Sequence, residues 1–149
     1  MHIRKLVCLW KRRWRNPYSI RPYQHVLEPV FAYLIIAAKQ YEHPELAGYY
    51  NVGPDECDCY QTGKLVDTFI KYWGDDLKRV DKCDGGPHEA GFLKLDCTKL
   101  KNTFDWAPVW NMDTAINKVI EWSKVFQNGG DVRKCMDDQI LDFMRELNA

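Results

Sequence analysis

The sequence has no net charge and no apolar run longer than nine residues. It also has no glycine-rich phosphate turn and no paired metal-binding spacing. Its 21 basic residues balance 21 acidic ones, which argues against a chain dedicated to nucleic acid. The longest apolar run, Val30 to Ala38, is nine residues, far below the ~20 needed to span a bilayer. No G-x-x-G-x-x-G or G-x-G-x-x-G follows a strand, so nothing makes the tight turn of a dinucleotide fold. The six cysteines, at positions 8, 57, 59, 83, 97 and 135, give one C-x-C but no second close pair and no H-x3–5-H, so no metal site is expected. Leu6 to Trp10 is too short for the core of a signal peptide and runs straight into Lys11-Arg-Arg13. Reduced thiols in a cytoplasmic protein follow from that reading. No internal repeat is present.

What the sequence does contain is one domain's worth of chain, 149 residues, with an uneven charge pattern. Every charge before Glu28 is basic, and the remaining 14 basic residues face 21 acidic ones. Residues 1–14 read as irregular or as a short strand. Within them the run Trp10-Lys-Arg-Arg-Trp-Arg15 interleaves bases with aromatics, as a single-strand or membrane-surface binder would. Pro17 and Pro22 force an extended or looped path through Tyr23. A helix is expected from about Gln24 to Tyr41, with Val26, Val30, Leu34 and Ala37 as its buried stripe and Leu27, Phe31 and Ala38 beside them. Tyr49–Val52, Leu77–Val80 and Phe92–Leu95 are short strand candidates, and Asp84–Pro87 a turn. Further helices are expected at about 61–73, stopped by Gly74, from an N-cap at Asp96 or Thr98 through about Phe104, and from Asn111 or Asp113 to Gln127. The last starts at Asp131 and repeats Val132, Met136, Ile140, Phe143 and Leu147 as its buried stripe. The class is α/β, mostly helical with few short strands.

The most informative stretch is Arg21-Pro-Tyr-Gln-His-Val-Leu-Glu-Pro29. An Arg and a His just before a helix start can hold a diphosphate through charge, bidentate hydrogen bonds and free backbone N–H groups. The same residues also fit an ordinary loop whose Arg is solvated and whose His caps the helix.

The longer run Arg15-Asn-Pro-Tyr-Ser-Ile-Arg-Pro-Tyr-Gln-His-Val-Leu-Glu-Pro29 resembles the signature of the CDP-glucose 4,6-dehydratases, members of the extended short-chain dehydrogenase/reductase superfamily. Tyr50-Asn-Val-Gly-Pro54, Gly86-Pro-His-Glu-Ala90, Leu93-Lys-Leu-Asp-Cys97 and Trp106-Ala-Pro108, with Trp122, follow in that family's order; residues 1–14 do not match. The resemblance implies the substrate-binding part of an extended short-chain dehydrogenase/reductase fold, lacking most of the Rossmann domain. Residues 15–149 would be a carboxy-terminal sugar-nucleotide-binding domain with the last strand and helix of the Rossmann part. Arg21 and Tyr23 would lie beside the nucleotide diphosphate, and Glu89 near the carboxylate that holds the ribose hydroxyls. Asn16, Gln24, His25 and His88 would contact substrate in less defined ways. The superfamily's second phosphate-binding Arg falls here on Gly86.

In that family, tightly held NAD oxidises the sugar at C4, water leaves across C5–C6, and the hydride returns to C6. The product, CDP-4-keto-6-deoxyglucose, is a precursor of deoxysugars in surface polysaccharides. The NAD site and catalytic residues would lie upstream of residue 1, so the chain alone is expected to bind no NAD and to be inactive. Its partners would be the CDP-sugar and the missing Rossmann half, which carries most contacts of the family's homodimer; nucleic acid and membrane are not expected. Tyr60-Gln-Thr-Gly-Lys64 fits the family's catalytic Y-x-x-x-K, but it lies after the Asn-Val-Gly-Pro block instead of well before it, so no catalytic role is expected. The alternative from another class is a self-standing nucleotide- or polyanion-binding module that uses the basic amino-terminal segment.

Overall fold

The computed structural model describes residues 16–74, 77 and 91–148. Among them are one antiparallel pair, β1 (Ile20–Arg21) with β2 (Tyr60–Gln61), and five α-helices. The helices are α1 (Leu27–Glu42), α2 (Thr62–Trp73), α3 (Thr98–Phe104), α4 (Met112–Gln127) and α5 (Val132–Leu147). The architecture is thus mostly helical with one short strand pair, as expected for a helical portion of an α/β fold.

Local chemistry accounts for the helix ends. The Asn111 side chain accepts from Thr114 N at 2.9 Å, and Asp131 accepts from Lys134 N at 2.9 Å, each taking a donor that its helix cannot satisfy itself. Gly74 closes α2 at φ 74°, a left-handed value that glycine adopts without a Cβ clash. α1 starts at Leu27, three residues later than expected, because the His25 carbonyl and imidazole take the amides of Glu28 (3.1 Å) and Leu27 (3.3 Å) and close a turn first.

Two expected strands do not form. Tyr49–Val52 has no ladder partner among the described residues, and Phe92 makes one parallel bridge, to Ile20. A strand exists only with a neighbour to bond, and the local pattern cannot supply one. Residues 78–80 of the third candidate, and the Asp84–Pro87 turn, lie outside the described residues.

The core has two centres. Ala32, Leu100, Phe104 and Trp106 join α1, α3 and the segment after α3, with Phe31, Ile35, Ile36 and Tyr50 packed around them. Phe69, Met112, Ile116 and Ile120 join α2 to α4, with Tyr23 and Tyr60 at their edge. The buried side of α1 is therefore not the expected stripe: Val26, Val30 and Leu34 are exposed, and Glu28 and Ala32 are buried. α5 is turned likewise, burying Cys135, Gln139 and Phe143 while Met136 and Ile140 are exposed.

Glu28 is fully buried, and its carboxylate accepts from Trp110 N at 2.7 Å and Val109 N at 3.1 Å. It ties α1 to the turn that follows Pro108. Burial raises its pKa, and the two backbone donors pull it back in part. Glu28→Leu keeps a side chain of similar size but orphans both amides, so it should cost about 1–3 kcal/mol in urea unfolding. An unchanged midpoint would mean that those amides find other acceptors.

Candidate functional site

The segment before α1 is built as a stiff support. Asn16 Oδ1 accepts from Tyr18 N at 3.1 Å, and the Asn16 carbonyl accepts from Ser19 Oγ at 2.9 Å, closing a turn at Pro17. The carbonyls of Pro17 and Ser19 then accept the first amides of α2, Gly63 N at 2.7 Å and Thr62 N at 2.9 Å. Thr62 Oγ1 bonds the hydroxyls of Ser19 at 2.9 Å and Tyr23 at 2.8 Å. One threonine at a helix start thus anchors both ends of the Ser19–Tyr23 segment.

Arg21 lies in the middle of that segment, opposite Tyr60 in the strand pair. The preceding residue, Ile20, bonds Gly91 and Leu93 on its other side, each at 3.0 Å. Arg21 is partly buried, and its Nη1 donates to the Ile20 carbonyl at 2.9 Å. Asn16, Arg21 and Tyr23 therefore share one rigid strip. Gly91, two residues beyond Glu89 in sequence, is bonded to that strip. His88 and Glu89 themselves, with the Gly86 position, lie outside the described residues.

Gln24 and His25 follow this strip in sequence. Gln24 Oε1 is buried and meets no donor among the described residues. His25 is 7% exposed and stands edge-on to Trp110 at 4.9 Å between ring centres. Its Nδ1 accepts from Leu27 N, which leaves the ring proton on Nε2. Burial, aided by the Lys118 charge, lowers its pKa to about 4. A neutral imidazole at this place supports the fold and carries no charge to a phosphate at neutral pH.

The blocks quoted from the sequence form one scaffold where they are described. Asn51 Nδ2 donates to the Asp96 carbonyl at 3.0 Å, and a Cβ on Gly53 would stand 3.3 Å from Leu95. A side chain at position 53 would therefore press on Leu95. Lys94 pairs with Glu56 and Lys101 with Asp55, around an open cavity of about 430 Å³. A second cavity, about 340 Å³, lies against the Pro17–Tyr18 turn and is lined also by Gly63, Lys64 and Lys71. Lys64 Nζ stands 3.8 Å from the centre of the Tyr60 ring, over its face. That is a cation–π contact, not the hydrogen-bonded pair that proton transfer needs.

Sequence reasoning missed Thr62 and Glu28 as anchors. Glu28 was detectable as a lone carboxylate in the first turn of an apolar helix; Thr62 gave no signal, because its partners lie about 40 residues away. Cys57, Cys59, Cys97 and Cys135 are free thiols, and no metal-binding cluster occurs among the described residues. No described helix is long and apolar enough to cross a membrane.

No family model matches the chain. The CDP-glucose 4,6-dehydratase of Salmonella typhimurium (strain LT2) is 37% identical to it over 131 residues, which make up 87% of this chain. The match covers 36% of that protein, so the chain spans about a third of the length of this relative. A partial span of this kind is consistent with a carboxy-terminal portion. Over that span, this chain is similar to a CDP-glucose 4,6-dehydratase, a protein of the family that its sequence blocks resemble.

Proposed function

We propose that this chain is the carboxy-terminal, substrate-binding part of a CDP-glucose 4,6-dehydratase, acting in the cytoplasm on a precursor of surface deoxysugars. It would hold the CDP-sugar while another part of the enzyme oxidises C4, eliminates water and returns the hydride. The observation that carries this reading is the placement of Arg21. Its segment is fixed by Thr62 at both ends and by β2 and Gly91 on its two sides. A guanidinium carried on so fixed a segment would be able to meet two phosphate oxygens at once. Tyr23 and Asn16, on the same strip, bring an aromatic face and an amide within one binding surface. Fixed contacts matter because hydride transfer tolerates little misplacement of the sugar.

The described residues do not fit NAD. Neither described strand reaches a helix through a glycine-rich turn: residues 22–26 between β1 and α1 hold no glycine, and β2 runs directly into α2, where Gly63 is the second residue. A dinucleotide needs a glycine-rich turn there, so that its pyrophosphate can approach the backbone. The chain's own part in the reaction is therefore to bind and orient.

Arg21→Lys should weaken CDP-glucose binding by about 1.5–3 kcal/mol in calorimetry, the range for a hydrogen bond to a charged group. The loss in affinity should exceed any loss in stability. A lower melting temperature with unchanged affinity would make Arg21 a structural residue and overturn this assignment of the diphosphate site.

A further inference from the structure

Four short contacts at the start of α2 share three hydroxyl protons. Ser19 Oγ reaches the Asn16 carbonyl and Thr62 Oγ1, each at 2.9 Å. Thr62 Oγ1 also reaches the Ser19 carbonyl at 3.1 Å and the Tyr23 hydroxyl at 2.8 Å. Each hydroxyl carries one proton, and a carbonyl carries none. The protons of Ser19 and Thr62 alone serve two of the four contacts. A third is served only when Tyr23 gives its own proton to Thr62, the one contact of the set that Tyr23 makes. In that arrangement the Tyr23 hydroxyl has no proton left for a phosphate oxygen. Its ring is held as well, at the edge of the cluster that joins α2 to α4 through Phe69 and Met112.

We propose that Thr62 is a positioning residue for the diphosphate site, acting through Arg21, and that the Tyr23 hydroxyl is a tether and not a phosphate donor. The proposal rests on the reading of Arg21 as the diphosphate residue. Arg21 lies between Ser19 and Tyr23, the two points that Thr62 holds, so the strip shifts there only when one of these bonds breaks. Its Nη1 donates to the Ile20 carbonyl, which also takes the Leu93 amide at 3.0 Å, so the guanidinium is referred to the same strip. Threonine suits the task, because its β-branch restricts χ1 and keeps the hydroxyl on one bearing. The helix that carries it is packed on α4 by Phe69 against Met112, Ile116 and Ile120. A loosened strip would spread the guanidinium over several placements, and a bidentate phosphate contact tolerates few of them.

The test uses the full chain with Thr62→Val, Thr62→Ser and Tyr23→Phe, and with Thr62→Val added to Arg21→Lys. Amide hydrogen exchange is read first, without nucleotide, at Ile20 and Leu93, whose amides bond the Gly91 and Ile20 carbonyls, with the amides of α5 as reference. Thr62→Val and Tyr23→Phe should each speed this exchange about 10-fold relative to α5, and Thr62→Ser less than about 2-fold. CDP-glucose affinity, measured by calorimetry, should follow, with about a 10-fold loss in Thr62→Val that Thr62→Ser restores. In the Arg21→Lys background, Thr62→Val should cost less than about 2-fold more, since its effect passes through the guanidinium. Tyr23→Phe keeps the ring in its cluster, so it reads the tether even where Thr62→Val does not fold. Unchanged exchange in either variant, or a full further loss of affinity beside Arg21→Lys, overturns the positioning role while CDP-glucose binding stands. Lost affinity in Tyr23→Phe without faster exchange makes its hydroxyl a phosphate donor and overturns the tether. A wild-type chain that binds no CDP-glucose overturns the reading of the site, and this role with it.

Discussion

Phe104→Ala should lower the unfolding free energy by about 3–5 kcal/mol, while Leu34→Ala should move it by less than about 0.5 kcal/mol. Phe104 is 2% exposed and closes α3 against Ala32, Leu100 and Trp106. Its ring stands edge-on to Tyr50 at 4.9 Å, and its carbonyl accepts from Lys39 Nζ at 3.4 Å. Truncation leaves a cavity between two helices whose other contacts hold them apart. Leu34 is of similar apolar character but 64% exposed, so little buried area is lost with it. Urea midpoints of the two variants check the contrast. A large loss at Leu34 would mean that the bare face is covered within the chain.

Acid should destabilise the protein between pH 6.5 and about 4 through His25. The ordinary pKa of its imidazole is 6.5, and in the fold it falls to about 4 because burial disfavours the charged ring and Lys118 adds like charge. A depressed base favours the fold while neutral, so the contribution is complete above pH 6.5 and is lost as pH falls through 4. The shift corresponds to about 3 kcal/mol at most. Lys118 is held in place by Asp142 at 2.7 Å and lies 5.5 Å from the centre of the Trp110 ring. Glu28 works in the opposite sense: its raised pKa means that stability is gained as pH falls through its folded value toward 4.5. His25→Asn keeps an acceptor for the Leu27 amide and removes the titrating ring. Unfolding free energies measured across this window should fall in the wild type and fall much less in the variant. Parallel curves would place the acid sensitivity in other groups.

Helix ends were legible where one residue decides them. Asn111, Asp131 and Gly74 each act through their own side chain or φ, and each stands at the expected helix boundary. Helix faces were legible only where polar residues mark the outside. On α1 there is no such mark between Pro29 and Ala38, so periodicity cannot choose between the Leu34 side and the Ala32 side. On α5 the buried set includes Gln139, which is tolerated inside because its amide donates to the Lys118 carbonyl at 2.8 Å and to Glu121. A one-residue offset turns the face by about 100°, and the Met136–Ile140 stripe comes out exposed. In the candidate site, the sequence placed Arg21 and Tyr23 on an extended segment, and they lie on one. It did not place His25 against Trp110, because nothing local tells a capping histidine from a buried one.

The measurement closest to the central claim is a calorimetric titration of the chain with CDP-glucose, with UDP-glucose and heparin in parallel at two salt concentrations. A CDP-glucose-binding part of a dehydratase should bind CDP-glucose in preference to UDP-glucose, with modest salt dependence and no comparable heat from heparin. Binding to heparin that collapses as salt rises, with no preference among the nucleotides, would contradict the account and make the chain a polyanion-binding module.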